Sequence, residues 1–373
     1  MKSVPTDYYI GLISGTSVDG IDAAVVSFPA DGGVRLGAAT TVPYEATLAE
    51  RIRRIGPDTP LREVATVDAL VGDAFARAAL NAADKAGLTP GRVRTIGSHG
   101  QTVWHAPDAD VPYTVQIGDP NRIAERTGIT TVADFRRRDM AAGGEAAPLA
   151  PIFHAALLGR GEPRVVVNLG GISNITVLST GEASSIIGCD CGPANTLLDA
   201  WCREHTGASF DRDGAWAATG RVRDDLLGAL LTEPFFRRPA PRSTGPELFN
   251  RRWLEGFLPS DCRPEDVQAT LVELTAHSVA DAVAALAPAG VDVRVCGGGV
   301  HNAYLMERLS ARLAPSPVSS SAALGVDPDA MEATGFAWLA RETLAGRAGN
   351  VPAVTGARHP VVLGGIYRGR VSG

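Results

Sequence analysis

The stretch YYIGLISGTSVDGIDAAVVSF at residues 8–28 sets the expected architecture. Two apolar runs flank residues 15–20, where Gly, Ser, Thr and Asp cluster, so the pattern predicts two strands joined by a turn. Residues 164–178 repeat this plan around Gly170 and Gly171. This weak internal repeat predicts two related halves, each containing a strand, a glycine turn and a second strand.

Segments with helical periodicity alternate with the strands. Apolar residues recur at roughly helical spacing over residues 61–85, 148–158, 194–205, 266–286 and 301–313. A short strand is expected at residues 291–296. Strands that alternate with helices predict an α/β chain. We take the domains as residues 1–135 and 136–373, with the C-terminal tail considered as a further part of the first domain.

Composition limits the kinds of partner. The chain has 373 residues, which favours two domains, and 45% of them are apolar, enough for a sizeable core. A formal net charge of −6 argues against a nucleic-acid partner, because such proteins usually present a basic face. Residues 1–5 lack the apolar run of a signal peptide, and no later segment reads as long and apolar enough to span a bilayer. We expect a cytoplasmic protein without a membrane partner, and a homodimer stays open.

The five cysteines are an odd number for a disulfide framework, and we expect them to be reduced. Cys189, Cys191, Cys202 and His205 can be read as four zinc ligands. Their spacing matches no standard zinc finger, however, and the segment passes from a strand into a helix. We therefore favour small buried hydrophobic side chains over a zinc site.

The first glycine turn has the residue types of a phosphate site. Glycines let backbone N–H groups approach phosphate oxygens, small hydroxyls add donors, and a carboxylate can hold Mg²⁺ directly or through water. An isolated cluster of this kind is more often an ordinary hairpin turn, and this one lacks the Gly-Lys-Ser/Thr of a P-loop. The candidate nucleotide-binding residues are Gly15, Thr16, Ser17, Val18, Asp19, Gly20, Ile21 and Asp22, with Asp19 as the candidate metal ligand.

Two further glycine turns occur in the second half of the chain. Gly170 and Gly171 lie between two strands, whereas Gly297, Gly298 and Gly299 lie between a strand and a helix, where backbone can approach a ligand closely. One such turn is weak evidence. The three turns together predict a nucleotide held by two related domains, with a phosphate loop from each.

Asp190 is the candidate general base. Residues 188–195 read GCDCGPAN, at the end of an apolar strand and before a helix. In an extended segment, Cys189 and Cys191 point away from the face that carries Asp190, which suits a carboxylate at a cleft wall. Spacing alone gives equal weight to a structural role, in which Asp190 accepts N–H bonds from the following turn.

Polar residues beside glycines mark candidate sugar contacts. Residues 97–102 read GSHGQT after an expected strand at residues 93–96, and residues 134–139 read DFRRRD. Arginine is the preferred bidentate partner of a carboxylate, but three consecutive arginines cannot all face one ligand. A lone histidine such as His99 is more often structural than catalytic.

These motifs together resemble the anhydro-N-acetylmuramic acid kinase family. The resemblance is colinear and covers nearly the whole chain. It is carried by residues 11–17, 97–105, 116–120, 134–139, 168–174, 192–193, 243–245, 266–271, 296–299 and 352–357. So many ordered motifs are far more specific than any single glycine turn.

The resemblance implies the two-domain α/β fold shared by sugar kinases, Hsp70-type ATPases and actin, a ribonuclease H-like fold with an interdomain ATP cleft. It implies that residues 15–22 bind the ATP phosphates and that Asp190 is the catalytic base. The residues that it places around the sugar are His99, Gln101, Arg138 and Glu332.

Two positions depart from the family pattern. Cys189 stands where an aromatic residue is expected, and Ala194 stands where a glycine is usual. Ala194 adds one methyl group beside the site, which would tighten the pocket. The core formed by Asp190, Gly192 and Pro193 is intact.

The activity that the resemblance implies is an ATP- and Mg²⁺-dependent kinase of a small anhydro sugar. It would open 1,6-anhydro-N-acetylmuramic acid hydrolytically and phosphorylate O6, giving N-acetylmuramic acid 6-phosphate in the recycling of peptidoglycan sugars. A kinase for levoglucosan is a close alternative, and the lactyl carboxylate separates the two because it needs a cation such as Arg138. A non-catalytic ATP-binding sensor is another alternative, against which the intact Asp190 argues. A glycosidase that does not use ATP is a third alternative, but it would not explain the glycine turns.

Overall fold

A computed structural model gives the architecture, and it describes residues 7–15, 17–29, 33–159, 162–179, 186–240 and 242–370. The strands are Tyr8–Ser14 (β1), Gly20–Ser27 (β2), Arg35–Pro43 (β3), Val93–Ala106 (β4), Tyr113–Ile117 (β5), Thr131–Ala133 (β6), Arg164–Leu169 (β7), Ile172–Leu178 (β8), Ile187–Pro193 (β9), Asp292–Cys296 (β10), Val318–Ser320 (β11) and Gly365–Tyr367 (β12). The α-helices are Ala46–Arg53 (α1), Leu61–Lys85 (α2), Pro120–Thr127 (α3), Phe135–Ala141 (α4), Ala150–Leu158 (α5), Asn195–Thr206 (α6), Asp224–Leu230 (α7), Arg251–Glu255 (α8), Pro264–Leu286 (α9), Ala303–Leu313 (α10), Met331–Leu344 (α11) and Pro352–Thr355 (α12).

The chain divides into two compact units. The first comprises Met1–Leu157 with Gly325–Gly373, and the second comprises Leu158–Leu324. This division differs from the sequence-based boundary after residue 135, because α4 is tied to the C-terminal segment. The fully buried carboxylate of Asp139 accepts hydrogen bonds from Asn350 Nδ2 and Thr355 Oγ1, at 2.7 and 2.8 Å.

Each unit is built on a mixed sheet, and the two sheets share one strand order. Within the described residues, the first sheet runs β3-β2-β1-β4-β6-β12, with β5 paired to β4, and the second runs β9-β8-β7-β10-β11. In both, the first three strands along the chain are antiparallel neighbours. In the first sheet β4 is parallel to β1 and β6 is parallel to β4, and in the second β10 is parallel to β7 and β11 is parallel to β10. This is the strand order of a ribonuclease H-like sheet. The α/β prediction and the predicted internal repeat are therefore confirmed.

Each unit has its own apolar core. In the first, Leu12 of β1 and Phe75 of α2 are fully buried in one cluster. In the second, Val167 of β7 and Leu274 of α9 are fully buried in another. Three of the residues weighed as zinc ligands are buried thiols, as the alternative predicted; they are Cys189, Cys191 and Cys202.

Helix α9 corrects the expectation that no segment could span a bilayer by length and composition. Among the described residues, Pro264–Leu286 passes that test. However, 67% of its apolar window is buried inside the protein. Val272 and Val279 of this helix belong to the core of the second unit. A helix that is apolar on most sides is typical of a core position, which accounts for its hydropathy.

Strand β4 is longer than the sequence predicted. We expected a strand only at residues 93–96, but β4 continues to Ala106, so residues 97–102 lie inside a strand and not in a turn after it. Gly97 has a packing role there, because a Cβ atom would overlap the carbonyl oxygen of Phe336 in α11. Gly11 on the neighbouring β1 meets the carbonyl oxygen of Ala333 in the same way. These two glycines let α11 lie directly on the sheet.

Candidate functional site

The turn between β1 and β2 is closed by hydrogen bonds of its own. Val18 N donates to Gly15 O at 3.2 Å, and Ser14 Oγ donates to Gly20 O at 2.8 Å. Val18 has a φ of 56°, an uncommon conformation for a β-branched residue. Thr16, one of the predicted nucleotide ligands, lies outside the described residues.

Gln101 braces this turn from β4. Ser14 Oγ shares its one proton between Gly20 O and Gln101 Oε1, which lies 2.6 Å away. Gln101 Nε2 donates to Gly15 O at 3.1 Å and to Thr102 O at 3.2 Å. Gln101 is fully buried. Because its donor and acceptor groups are already used inside the first unit, its position favours support of the turn over direct contact with a sugar.

Packing explains why residue 20 is glycine but not why residue 15 is. A Cβ atom on Gly20 would lie 2.9 Å from Val42 O, so strand packing alone accounts for that residue. A Cβ atom on Gly15 would meet nothing closer than Ser17 Oγ at 4.0 Å. The described chain therefore does not require a glycine at residue 15, which leaves room for close approach by a ligand.

In the second unit, too, packing requires some of the turn glycines and leaves space at others. A Cβ atom on Gly171 would lie 2.6 Å from Thr196 Oγ1, and one on Gly299 would lie 2.6 Å from Leu169 Cβ. Gly297 has a φ of 82° and packs against the end of β7. By contrast, Gly170 has ordinary space around it, and Gly298 has nothing within 4 Å. The Gly170 and Gly297 turns lie together because β7 and β10 are parallel neighbours that end at the same edge.

Gly298 lines a cavity of about 530 Å³ that lies entirely within the second unit. Asn195 at the start of α6, Phe210, His301 and Asn302 contribute other parts of its wall. A volume of this size suits a small-molecule site. A combination of one aromatic ring with amide and imidazole groups could bind the base and ribose of a nucleotide.

Asp19 is the exposed carboxylate of the first turn. Its side chain is 79% exposed and lies 3.7 Å from Arg53 Nη2, which also donates to Ser17 O and Val18 O at 3.3 and 3.0 Å. No group of three or more His, Cys, Asp or Glu side chains suited to a metal occurs among the described residues. Mg²⁺ in nucleotide sites takes one or two carboxylates together with phosphate oxygens. Asp19 therefore fits as a single protein ligand, and the turn does not fit a metal held by protein alone.

Asp22, on β2, is a second acid near this turn. Its carboxylate accepts a hydrogen bond of 2.6 Å from Thr41 Oγ1. Burial raises the pKa of Asp22, the hydrogen bond from Thr41 lowers it, and the charge of Asp329 raises it further. Because this group binds a proton more readily than an ordinary aspartate does, it is poorly suited to hold a cation.

Buried His99 and half-buried Arg136 form a polar pair in the first unit. Arg136 Nε donates to His99 Nε2 at 2.8 Å, and its Nη1 donates to Ala146 O at 2.6 Å. Burial lowers the pKa of Arg136 to about 10, although the nearby charges of Glu332 and Asp139 act to raise it. Burial raises the pKa of Glu332, Asp22 adds to the rise and Arg136 opposes it. Arg136 thus interacts with both His99 and Glu332. Contact of His99 and Glu332 with the sugar stays a prediction.

Arg138, the arginine chosen from the sequence, is exposed. The more buried positions of α4 are Phe135, Arg136, Asp139 and Met140, which follow helical spacing. That spacing places Arg136 on the inner face and Arg138 off it. The apolar residues Phe135 and Met140 carried the signal that could have selected Arg136.

Asp190 lies near the end of β9 with one carboxylate oxygen held. Thr244 N donates to Oδ2 at 3.0 Å, and Oδ1 has no hydrogen-bond partner among the described residues. Burial raises the pKa of Asp190 to about 6; the Thr244 amide and Arg242 lower it, and Glu247 raises it. Cys189, the departure from the family pattern, is buried and donates its thiol to Asp190 O at 3.2 Å. An acid with a raised pKa and one free oxygen has the properties of a general base.

A family model described as anhydro-N-acetylmuramic acid kinase matches residues 7–369. The chain belongs to the anhydro-N-acetylmuramic acid kinase family. Anhydro-N-acetylmuramic acid kinase of Xanthomonas axonopodis pv. citri (strain 306) is 53% identical over 374 residues, covering 98% of this chain and 100% of the relative. The protein of the same name from Coxiella burnetii (strain Dugway 5J108-111) is 45% identical over 370 residues, covering 98% of this chain and 99% of the relative.

A solved structure of a ROK family glucokinase from Streptomyces griseus, in complex with glucose and AMPPNP, is a distant neighbour. It has 16% sequence identity and a TM-score of 0.41, and the match covers 90% of this chain and 99% of the glucokinase. A similarity this distant does not bear on substrate or site residues.

Proposed function

We propose that this member of the anhydro-N-acetylmuramic acid kinase family opens 1,6-anhydro-N-acetylmuramic acid with water and phosphorylates the freed O6 from ATP. The observation that carries this proposal is the state of Asp190, a half-buried carboxylate with its pKa raised to about 6, one oxygen held by Thr244 N and the other without a partner. Full-length identity of 45 to 53% with proteins of that name supports this sugar over levoglucosan and over a non-catalytic sensor.

In the proposed reaction, Asp190 takes a proton from a water molecule whose oxygen bonds to C1 of the sugar. The C1–O6 bond breaks, and O6 bonds to the γ-phosphorus of ATP as ADP leaves. An ether alkoxide is a poor leaving group, so phosphoryl transfer to O6 assists ring opening. A carboxylate that activates water on the face opposite the broken bond is the usual base of an inverting sugar hydrolysis.

The nucleotide would be held by the glycine turns. Among the glycines of these turns, Gly15 in the first unit and Gly170 and Gly298 in the second are positions where the packing of the described chain leaves space for a Cβ atom. Asp19 would be the protein ligand of Mg²⁺, which neutralises phosphate charge when bound. Arg53 holds the backbone of residues 17 and 18 and keeps this turn in shape.

The lactyl carboxylate of the sugar needs a cation. Arg136 offers the better-placed guanidinium, because hydrogen bonds to His99 and Ala146 O fix its Nε and Nη1 and leave Nη2 without a hydrogen-bond partner among the described residues. Arg138 is exposed on the same helix. We therefore propose Arg136 in the role that the sequence suggested for Arg138, with action in the cytoplasm on a small-molecule sugar.

The test is Asp190→Asn in a coupled ADP-release assay with anhydro-N-acetylmuramic acid, levoglucosan and N-acetylmuramic acid. Wild-type protein should prefer the first sugar. The variant should bind ATP and sugar but lose about 10²–10⁴-fold or more in turnover, the usual contribution of a general base. In ¹⁸O water, label should appear early at C1 of the product and not in the phosphate. Near-normal turnover of the variant, or early label in phosphate, contradicts the mechanism.

A further inference from the structure

The Arg242 guanidinium organises the segment that follows the 3₁₀ turn Pro234–Arg237. Its Nη1 donates to the carbonyl oxygens of Phe236 and Arg238 at 3.0 and 2.8 Å. Its Cζ lies 4.9 Å from the centre of the Phe235 ring, within range of a cation–π contact. One half-buried side chain therefore holds residues 242–244, called the Arg242 segment here, against Phe235, Phe236 and Arg238.

The same side chain is joined to the backbone of Asp190. Arg242 Nε donates to Asp190 O at 3.0 Å, and Asp190 N donates to Arg242 O at 3.0 Å. Two residues later, Thr244 N donates to Asp190 Oδ2. The carboxylate is thus oriented by an amide that stands on a segment fixed by Arg242, while Arg242 itself contacts the backbone and leaves the carboxylate oxygens free.

We propose that Arg242 is a positioning residue for Asp190: it fixes the segment that delivers the Thr244 amide to Oδ2 and so directs Oδ1 toward the attacking water. This inference rests on the proposed function, because it assigns Arg242 a role through the base of that reaction. Three other groups face the carboxylate or its backbone. They are the acid of Glu247, the thiol of Cys189 and the thiol of Cys191.

Two substitutions separate the parts of this role. Arg242→Met keeps the aliphatic stem and removes the charge and the donors. Arg242→Lys keeps the charge but cannot donate in several fixed directions, because an ammonium lacks the planar fork. Arg237→Gln removes a positive charge from an exposed residue of the preceding 3₁₀ turn and is the matched control.

We expect Arg242→Met to lower kcat about 10²-fold, the cost of misplacing a reacting group by about 1 Å, with less than about threefold change in KM for ATP. Arg242→Lys should fall between the methionine variant and wild type, and Arg237→Gln should match wild type. A kcat within threefold of wild type in folded Arg242→Met overturns the proposal.

A measurement without substrate keeps this test independent of the proposed reaction. The carboxyl ¹³C resonance of Asp190 can be titrated in each variant. Loss of the Arg242 charge and of the ordered Thr244 amide should move the titration of Asp190 to higher pH in Arg242→Met and leave it in place in Arg237→Gln. An unchanged or lowered midpoint in Arg242→Met overturns the positioning role, whereas absence of sugar phosphorylation by wild-type protein with the expected shift contradicts only the proposed function.

Discussion

Arg136 Nε donates a hydrogen bond to His99 Nε2 across 2.8 Å, which fixes the state of that histidine. Because Nε2 accepts, the ring proton lies on Nδ1, 3.0 Å from Gly100 O. Burial and then the charge of Arg136 lower the pKa of His99 to about 3. His99 is therefore neutral near pH 7 and orients Arg136, and it is not suited to carry protons in catalysis.

The first prediction compares two arginines of α4. Arg136→Lys should raise KM for anhydro-N-acetylmuramic acid about tenfold or more, since a hydrogen bond to a charged group is worth about 1.5–3 kcal/mol. KM for an anhydro sugar without the lactyl carboxylate should change much less. Steady-state kinetics on both sugars measure this ratio.

Arg138→Lys is the matched control, with the same change two residues away on an exposed position. It should leave both KM values within about twofold of wild type. If Arg136→Lys raises KM equally for the two sugars, or if Arg138→Lys has the larger effect, Arg136 does not bind the lactyl carboxylate.

The second prediction concerns Gly15. Because a Cβ atom there meets only Ser17 Oγ at 4.0 Å, Gly15→Ala should keep the thermal unfolding midpoint of wild type. If the backbone at residue 15 approaches phosphate, the added methyl group should raise KM for ATP at least tenfold. Gly56→Ala, where a Cβ atom also meets nothing within 4 Å, is the control. An unchanged KM for ATP in stable Gly15→Ala would remove this residue from the phosphate site.

The third prediction concerns Gly97, where packing against α11 requires a glycine. A Cβ atom would overlap the backbone carbonyl of Phe336, which cannot rotate away. Gly97→Ala should therefore destabilise the protein by about 1–3 kcal/mol or more, the range for overpacking in a core. Urea unfolding measures the loss, with Gly91→Ala as a control in open space. Full stability together with impaired sugar binding would instead support a direct role of residue 97 in the site.

Features set by local pattern were predictable, and features set by distant contacts were not. The helix predicted at residues 61–85 is α2, because its apolar spacing continues over the whole segment and no Pro occurs inside it; Gly72 is accommodated within the helix. The extent of β4 was missed because Gly97 reads as a turn residue until α11, more than 230 positions later, is seen to cover it. Asp190 was predicted as the base from its motif, and that role stays a prediction. Its hydrogen bonds with Arg242 could not be predicted, since only the fold brings the two residues together.

The last prediction is that the protonation of Asp190 makes the free energy of unfolding depend on pH. Burial raises its pKa from 3.8 to about 6, so between these values the folded protein holds this proton more tightly than the unfolded chain. The contribution of Asp190 to stability therefore falls as pH rises through that window and stays low above it. This rise in the pKa of Asp190 corresponds to a change of at most about 3 kcal/mol in the free energy of unfolding. Asp190→Asn does not titrate, and its amide oxygen can still accept from Thr244 N. It should be more stable than wild type at pH 7.5 and lose that advantage near pH 4 in urea unfolding. A difference that is independent of pH, or a variant less stable at pH 7.5, would show that Asp190 is not a desolvated carboxylate, and its assignment as the base would lose its main physical support.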